Sequence, residues 1–175
     1  MLNEIPKDLL YCYLAGIMLG GKFQKPTVDW RYKIRSFYAN WKEKGMYEIC
    51  FLDPWNGEVT GIIDNEGLTN NAVSANTIYQ GDIAAIKKAN IVVANFNQFG
   101  SERPSVGTYF ECGIALALGK PLILIVPENE FERWSKHPFT SQACAIFKNI
   151  DEFLNSKILN WYYKRTNHAT YEWKL

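Results

Sequence analysis

PSVGTYFECGIALALGKPLILIV, residues 104–126, decides the fold class. Ser105 is a capping residue type, residues 106–118 hold no proline, and Gly119 follows as a stop, so a helix is predicted over 106–118. Residues 121–126 are then hydrophobic without alternation, as a parallel strand buried on both faces should be.

The same alternation runs outward in both directions. Upstream, IVVANF at 91–96 reads as a β-branched buried strand, followed by a polar loop over 97–105. Residues 74–88 begin at the capping Ser74 and carry Ile78, Ile83 and Ile86 at helical spacing. Residues 9–15 read as a buried strand ending at Gly16. Residues 28–44 carry a helical stripe of Trp30, Ile34, Phe37, Tyr38 and Trp41, closed by Gly45. A short strand is predicted over 47–52 and a loop over 53–71. Downstream, a short helix over 128–136, a fifth strand over 144–147 and a last helix over 150–159 complete the chain. Strands alternating with helices predict a single α/β domain over 1–175, with about five parallel strands covered on both faces. Such sheets bind ligands at the carboxyl ends of their strands, here the loops after Leu14, Leu52, Phe96 and Val126.

Composition narrows the function. The 175 residues suit one core, and 19 Lys+Arg against 18 Asp+Glu leave a formal charge of +1 with no basic block, which argues against a nucleic-acid polymer as partner. No apolar run approaches the ~20 residues of a membrane span. The N-terminal MLNEIPKDLLYCYLAG has acidic residues and a proline where a signal peptide has a basic region, so a cytoplasmic protein is expected. Cys12, Cys50, Cys112 and Cys144 are far apart and read as free thiols, mostly buried; with only His137 and His168 as histidines, no metal site is expected. The 15% aromatic content fits a heavy core, a subunit interface or a pocket for flat ligands.

Gly16 to Lys22 spells GxxxxGK directly after a strand, but the match to a phosphate loop fails. Phe23 cannot supply the hydroxyl that holds Mg²⁺, and Pro26 falls where the helix should already run. Glu111 is more informative, being the only charge between Arg103 and Lys120. It reads in two ways: as a residue favoured by the helix N-terminus, or as a carboxylate in an apolar pocket at the sheet mouth, where a nucleophile or general acid/base belongs. Asp82 also reads as a surface charge pairing with Lys87 or Lys88, Tyr13 as a core aromatic, Ser105 as an N-cap, and His137 as a loop residue with a structural hydrogen bond.

Taken together, Tyr13-Leu-Ala-Gly16, Asp82, IVVANF and the GTxxExGxAxALGKP pattern starting at Gly107 resemble the nucleoside 2-deoxyribosyltransferase superfamily, which includes nucleoside 5′-monophosphate N-glycosidases. The resemblance spans about residues 10–150 and implies a flavodoxin-like sandwich. It implies that Glu111 attacks the anomeric carbon, that Asp82 handles the proton of the departing or arriving base, and that Tyr13 orients Glu111. It also implies that Gly16, Asn56, Ser105 and Gly107 contact substrate, with Trp55 placed to stack on the base. No cofactor is implied. Transferases of this family commonly carry Asp six residues before the nucleophile; here that residue is Ser105, as in the nucleotide hydrolases, where it binds phosphate. Sugar transfer between bases is the first expectation and hydrolysis of a nucleoside 5′-monophosphate the second. A nucleotide-binding module without catalysis is the rival from another class. Members of the family are oligomers, so a homo-oligomer is expected, with the aromatic tail over 158–175 either at a subunit interface or packed on its own subunit.

Overall fold

The structure, a computed structural model, describes residues 9–18, 24–43, 48–55, 63–64, 67–68, 74–102 and 104–167. In chain order the elements are β1 (Leu9–Gly16), α1 (Gln24–Glu43), β2 (Glu48–Leu52), β3 (Ile63–Asp64), β4 (Gly67–Leu68), α2 (Ala75–Lys88), β5 (Ile91–Asn95), α3 (Val106–Ala117), β6 (Leu122–Ile125), α4 (Phe131–Lys136), β7 (Ala145–Phe147), α5 (Ile150–Ser156) and α6 (Ile158–Asn167). Five strands form one parallel sheet in the order β2-β1-β5-β6-β7. The doubly wound α/β architecture read from the sequence is the one observed.

Side-chain alternation along β1 assigns its residues to two cores. Leu10, Cys12 and Leu14 pack with Trp30, Ile34 and Tyr38 of α1 and with Phe153, Leu159 and Tyr163 of α5 and α6. Tyr13 and Ala15 point to the opposite face, with Ile86 of α2 and Cys112 and Ala115 of α3. Because both faces are covered, β5 and β6 are buried at every position. Register pairs Tyr13 with Val92 and Gly16 with Asn95, so β1 and β5 end level with one another. The strand order reverses between them, which is where such folds open a ligand cleft.

The structure changes several local expectations. The helix expected over 28–44 starts at Gln24, because proline is tolerated in a first turn and Pro26 sits there; the objection to a phosphate loop therefore rests on Phe23 alone. Residues 19–23 lie outside the described residues. The expected loop over 53–71 contains the small antiparallel pair of β3 and β4. The single helix expected over 150–159 is broken at Lys157, whose φ of 53° is left-handed, and resumes as α6. Leu159 and Tyr163 from the tail are buried in the first core, whereas Trp161 is exposed; residues 168–175 lie outside the described residues. Among the described residues no helix is long and apolar enough to cross a membrane.

Candidate active site

The sheet faces bring the site residues together. Thr108, Cys112 and Ala115 form the buried stripe of α3 against the sheet. Glu111 lies one turn from Thr108 and Ala115, on the flank of that stripe, and so reaches the end of β1. There the Tyr13 hydroxyl donates a 2.7 Å hydrogen bond to Glu111 Oε1. Asp82, half-buried on α2, faces the same phenol. A cleft of about 370 Å³ opens over them, lined by residues 16–18, Ile78, Asp82, residues 104–108 and Glu111. The sequence-predicted Tyr13, Gly16, Asp82, Ser105, Gly107 and Glu111 thus converge on one place. Asn56 lies outside the described residues.

Burial sets the electrostatics. Glu111 is pushed up to about 7, chiefly by burial; the Tyr13 hydrogen bond and the Arg31 charge oppose the rise and the nearby Asp82 charge adds to it. Asp82 is pushed up to about 6, again by burial, with Tyr13 and Arg31 opposing. The Tyr13 phenol is raised far above its ordinary range by burial and by both carboxylates, so it stays a proton donor at neutral pH. Both carboxyls are thus held above their ordinary range and brought close to neutrality.

Ser105 sits at the N-cap position of α3, but its side chain makes no capping bond, contrary to the capping expectation. Its Oγ is buried without a hydrogen-bond partner among the described residues, and the residue forms part of the cleft wall. A buried hydroxyl with nothing to bond at a helix N-terminus suits an anionic ligand group. Gly107 lines the cleft, and a Cβ there would meet open space. Its lack of a side chain therefore serves the cavity rather than the packing.

Other aromatics fall elsewhere. Tyr109 joins Phe96 and Trp134 around a neighbouring hollow beside α4 that shares Pro104 and Ser105 with the cleft, with Phe96–Trp134 ring centroids 4.5 Å apart. Phe110 is exposed on an apolar groove with Tyr79, Ile83 and Ile114, which shares Asp82, Gly107 and Glu111 with the cleft. Trp55 does not line the cleft; its backbone N–H donates to Asp53 Oδ1 at 2.9 Å. His137 Nδ1 accepts from the Phe139 backbone within its loop. Cys12 and Cys112 are buried, Cys50 is half-buried and Cys144 is exposed.

Arg31 and Asp53 escaped the sequence reading. Arg31 is fully buried in α1, with its Nε 3.2 Å from Asp53 Oδ1 and its Nη2 donating to the Gly16 carbonyl at 2.7 Å. The available signal was spacing: Thr27, Arg31, Ile34 and Tyr38 fall on one helical face, so a charge stood inside an apolar stripe.

A family model for nucleoside 2-deoxyribosyltransferase matches residues 13–153, a span holding the second half of β1, all of α3 and every cleft-lining residue named above. The chain belongs to the nucleoside 2-deoxyribosyltransferase family. Among curated proteins none matches the sequence. Solved structures share the fold of this family member. They include a CMP N-glycosidase, BcmB, from Clostridium botulinum (20% identical, covering 85% of this chain and 98% of that one, TM-score 0.51). A 2-desoxiribosyltransferase from Leishmania mexicana is also similar (20% identical, 91% and 99% covered, TM-score 0.53). BlsM is similar to the same degree (20% identical, 95% and 99% covered, TM-score 0.53).

Proposed function

We propose that this family member cleaves the N-glycosidic bond of nucleosides or nucleotides through a covalent glycosyl–Glu111 intermediate and passes the sugar to a second base. The observation that carries the reading is the hydrogen bond from the buried Tyr13 to Glu111, which lines a cleft of about 370 Å³ together with Asp82. A carboxylate suits an oxocarbenium-like centre, and the two-step route replaces one difficult displacement by two easier ones. Glu111 attacks the anomeric carbon as the C–N bond breaks, and Asp82 gives its proton to the departing base. A second base then attacks the glycosyl–enzyme and returns a proton to Asp82. The chemistry needs Glu111 ionised and Asp82 protonated when the C–N bond breaks. The Tyr13 phenol, by donating to Oε1, favours the ionised form of Glu111.

The unpartnered Ser105 Oγ favours a second reading, in which the substrate carries a 5′-phosphate and water takes the sugar. The apolar groove of Tyr79, Ile83, Phe110 and Ile114 beside the cleft supports assembly with a second copy of the chain. The test incubates the protein with deoxynucleosides and with deoxynucleoside monophosphates, each with and without a free acceptor base, beside Glu111→Ala. Base exchange supports transfer. Base release from monophosphates alone supports the hydrolase. Wild type no better than Glu111→Ala leaves a binding module without catalysis.

A further inference from the structure

We infer that Arg31 is a positioning residue for Glu111: it ties the cleft-forming end of β1, and Asp53 just past β2, to α1 and sets a fixed positive charge that acts on the Glu111 carboxyl. The inference rests on the glycosidic reading of Glu111 given above.

The geometry is a three-way tie. Arg31 Nη2 donates to the carbonyl of Gly16, the last residue of β1 and part of the cleft wall. Nη1 donates to the Thr27 carbonyl one turn earlier in α1, and Nε faces Asp53, just past β2, at 3.2 Å. The guanidinium lies over the Trp30 ring at 4.4 Å. Only a planar fork of donors reaches three directions at once; the ammonium of lysine is a point charge. The Asp53 side chain is 3% exposed, so the ion pair is desolvated on both sides. A buried pair of this kind contributes little to stability beyond what an apolar pair of similar volume would. What an apolar pair could not supply is the charge. Glu111 is faced by Tyr13 from β1, Asp82 from α2 and Arg31 from α1, with the Cys112 thiol beside it on α3. Arg31 in turn is faced by Asp53, Glu111, Tyr13 and Arg35. Its charge opposes the burial and the Asp82 repulsion that would otherwise keep Glu111 protonated.

The test compares wild type, Arg31→Lys and the double variant Arg31→Met with Asp53→Leu, which removes both partners of the buried ion pair together. Glu111 is titrated directly by ¹³C NMR of its carboxyl carbon, alongside kcat and KM for base release. In the double variant the Glu111 midpoint rises by at least about 0.5 in pH, and kcat falls roughly tenfold at neutral pH. Arg31→Lys keeps the midpoint near that of wild type but loses several-fold in kcat, because the charge stays and the tie is lost. An unchanged midpoint in the double variant, or wild-type kcat in Arg31→Lys, overturns the inference. If wild type releases no base from any substrate, the glycosidic reading fails, and the NMR midpoint still decides whether Arg31 acts on Glu111.

Discussion

Tyr13 and Glu111, ninety-eight residues apart in the chain, meet through a 2.7 Å hydrogen bond from phenol to carboxylate. The phenol is fully buried and remains protonated, so it offers Oε1 a donor, and a donor there favours the ionised carboxylate. Removing it should reverse that preference. Tyr13→Phe is expected to fold, to move the Glu111 limb of the kcat/KM–pH profile upward, and to lower kcat by roughly 10- to 100-fold at pH 7. A pH–rate profile of the variant checks this, and an unmoved limb would count against the assigned role.

Ser105→Ala separates the two substrate readings. Since the hydroxyl makes no capping bond, its loss should not bring the usual cost of about 1 kcal/mol for a cap. Thermal stability is expected to stay level. KM for nucleoside monophosphates should rise about tenfold, the worth of one hydrogen bond to a charged group, while KM for nucleosides should not change. Equal effects on both substrates would remove Ser105 from phosphate recognition.

Gly16 is needed for space. A Cβ there would lie 2.7 Å from the Trp30 ring and 3.3 Å from both the Arg31 guanidinium and the Asn95 carbonyl. Gly16→Ala should cost about 1–3 kcal/mol as overpacking in a filled interior, read as a lower midpoint in denaturant, and activity should drop further as β1 shifts beneath the cleft.

Stability should carry the signature of the buried Glu111. Its folded pKa of about 7 lies above its ordinary value of 4.5, so the fold prefers the neutral carboxyl. That contribution is fully present below pH 4.5 and is lost as pH rises through about 7. Glu111→Gln, neutral at all pH, is therefore expected to gain on wild type between pH 5 and 8, by on the order of 2 kcal/mol at the alkaline end. Melting curves of the two proteins across that range test it, and a constant difference would mean that Glu111 is already ionised at no cost.

Much of this architecture was legible in the sequence because its signals are local. The unbroken hydrophobicity of 121–126 and the glycine stop at Gly119 could only describe a helix feeding a buried parallel strand. Glu111 stood out as the lone charge in an apolar helix. Tyr13 could not be lifted above a core aromatic on spacing alone. Its role depends on β1 presenting odd-numbered residues to the α3 face, which pairing decides and periodicity does not. Arg31 was missed for a similar reason: a guanidinium is read as solvated unless its partner is known, and Asp53 is brought to it by the β1–β2 register. The break at Lys157 is a single left-handed residue that is not glycine, and propensity gives no warning of it.

The most direct measurement is mass spectrometry of the protein quenched during turnover with a deoxynucleoside or its 5′-monophosphate and no acceptor base. One glycosyl or phosphoglycosyl group is expected on the peptide carrying Glu111, absent in Glu111→Gln and accumulating less in Tyr13→Phe. Base release that proceeds at the wild-type rate in Glu111→Gln, with no adduct on that peptide, would rule out the covalent route.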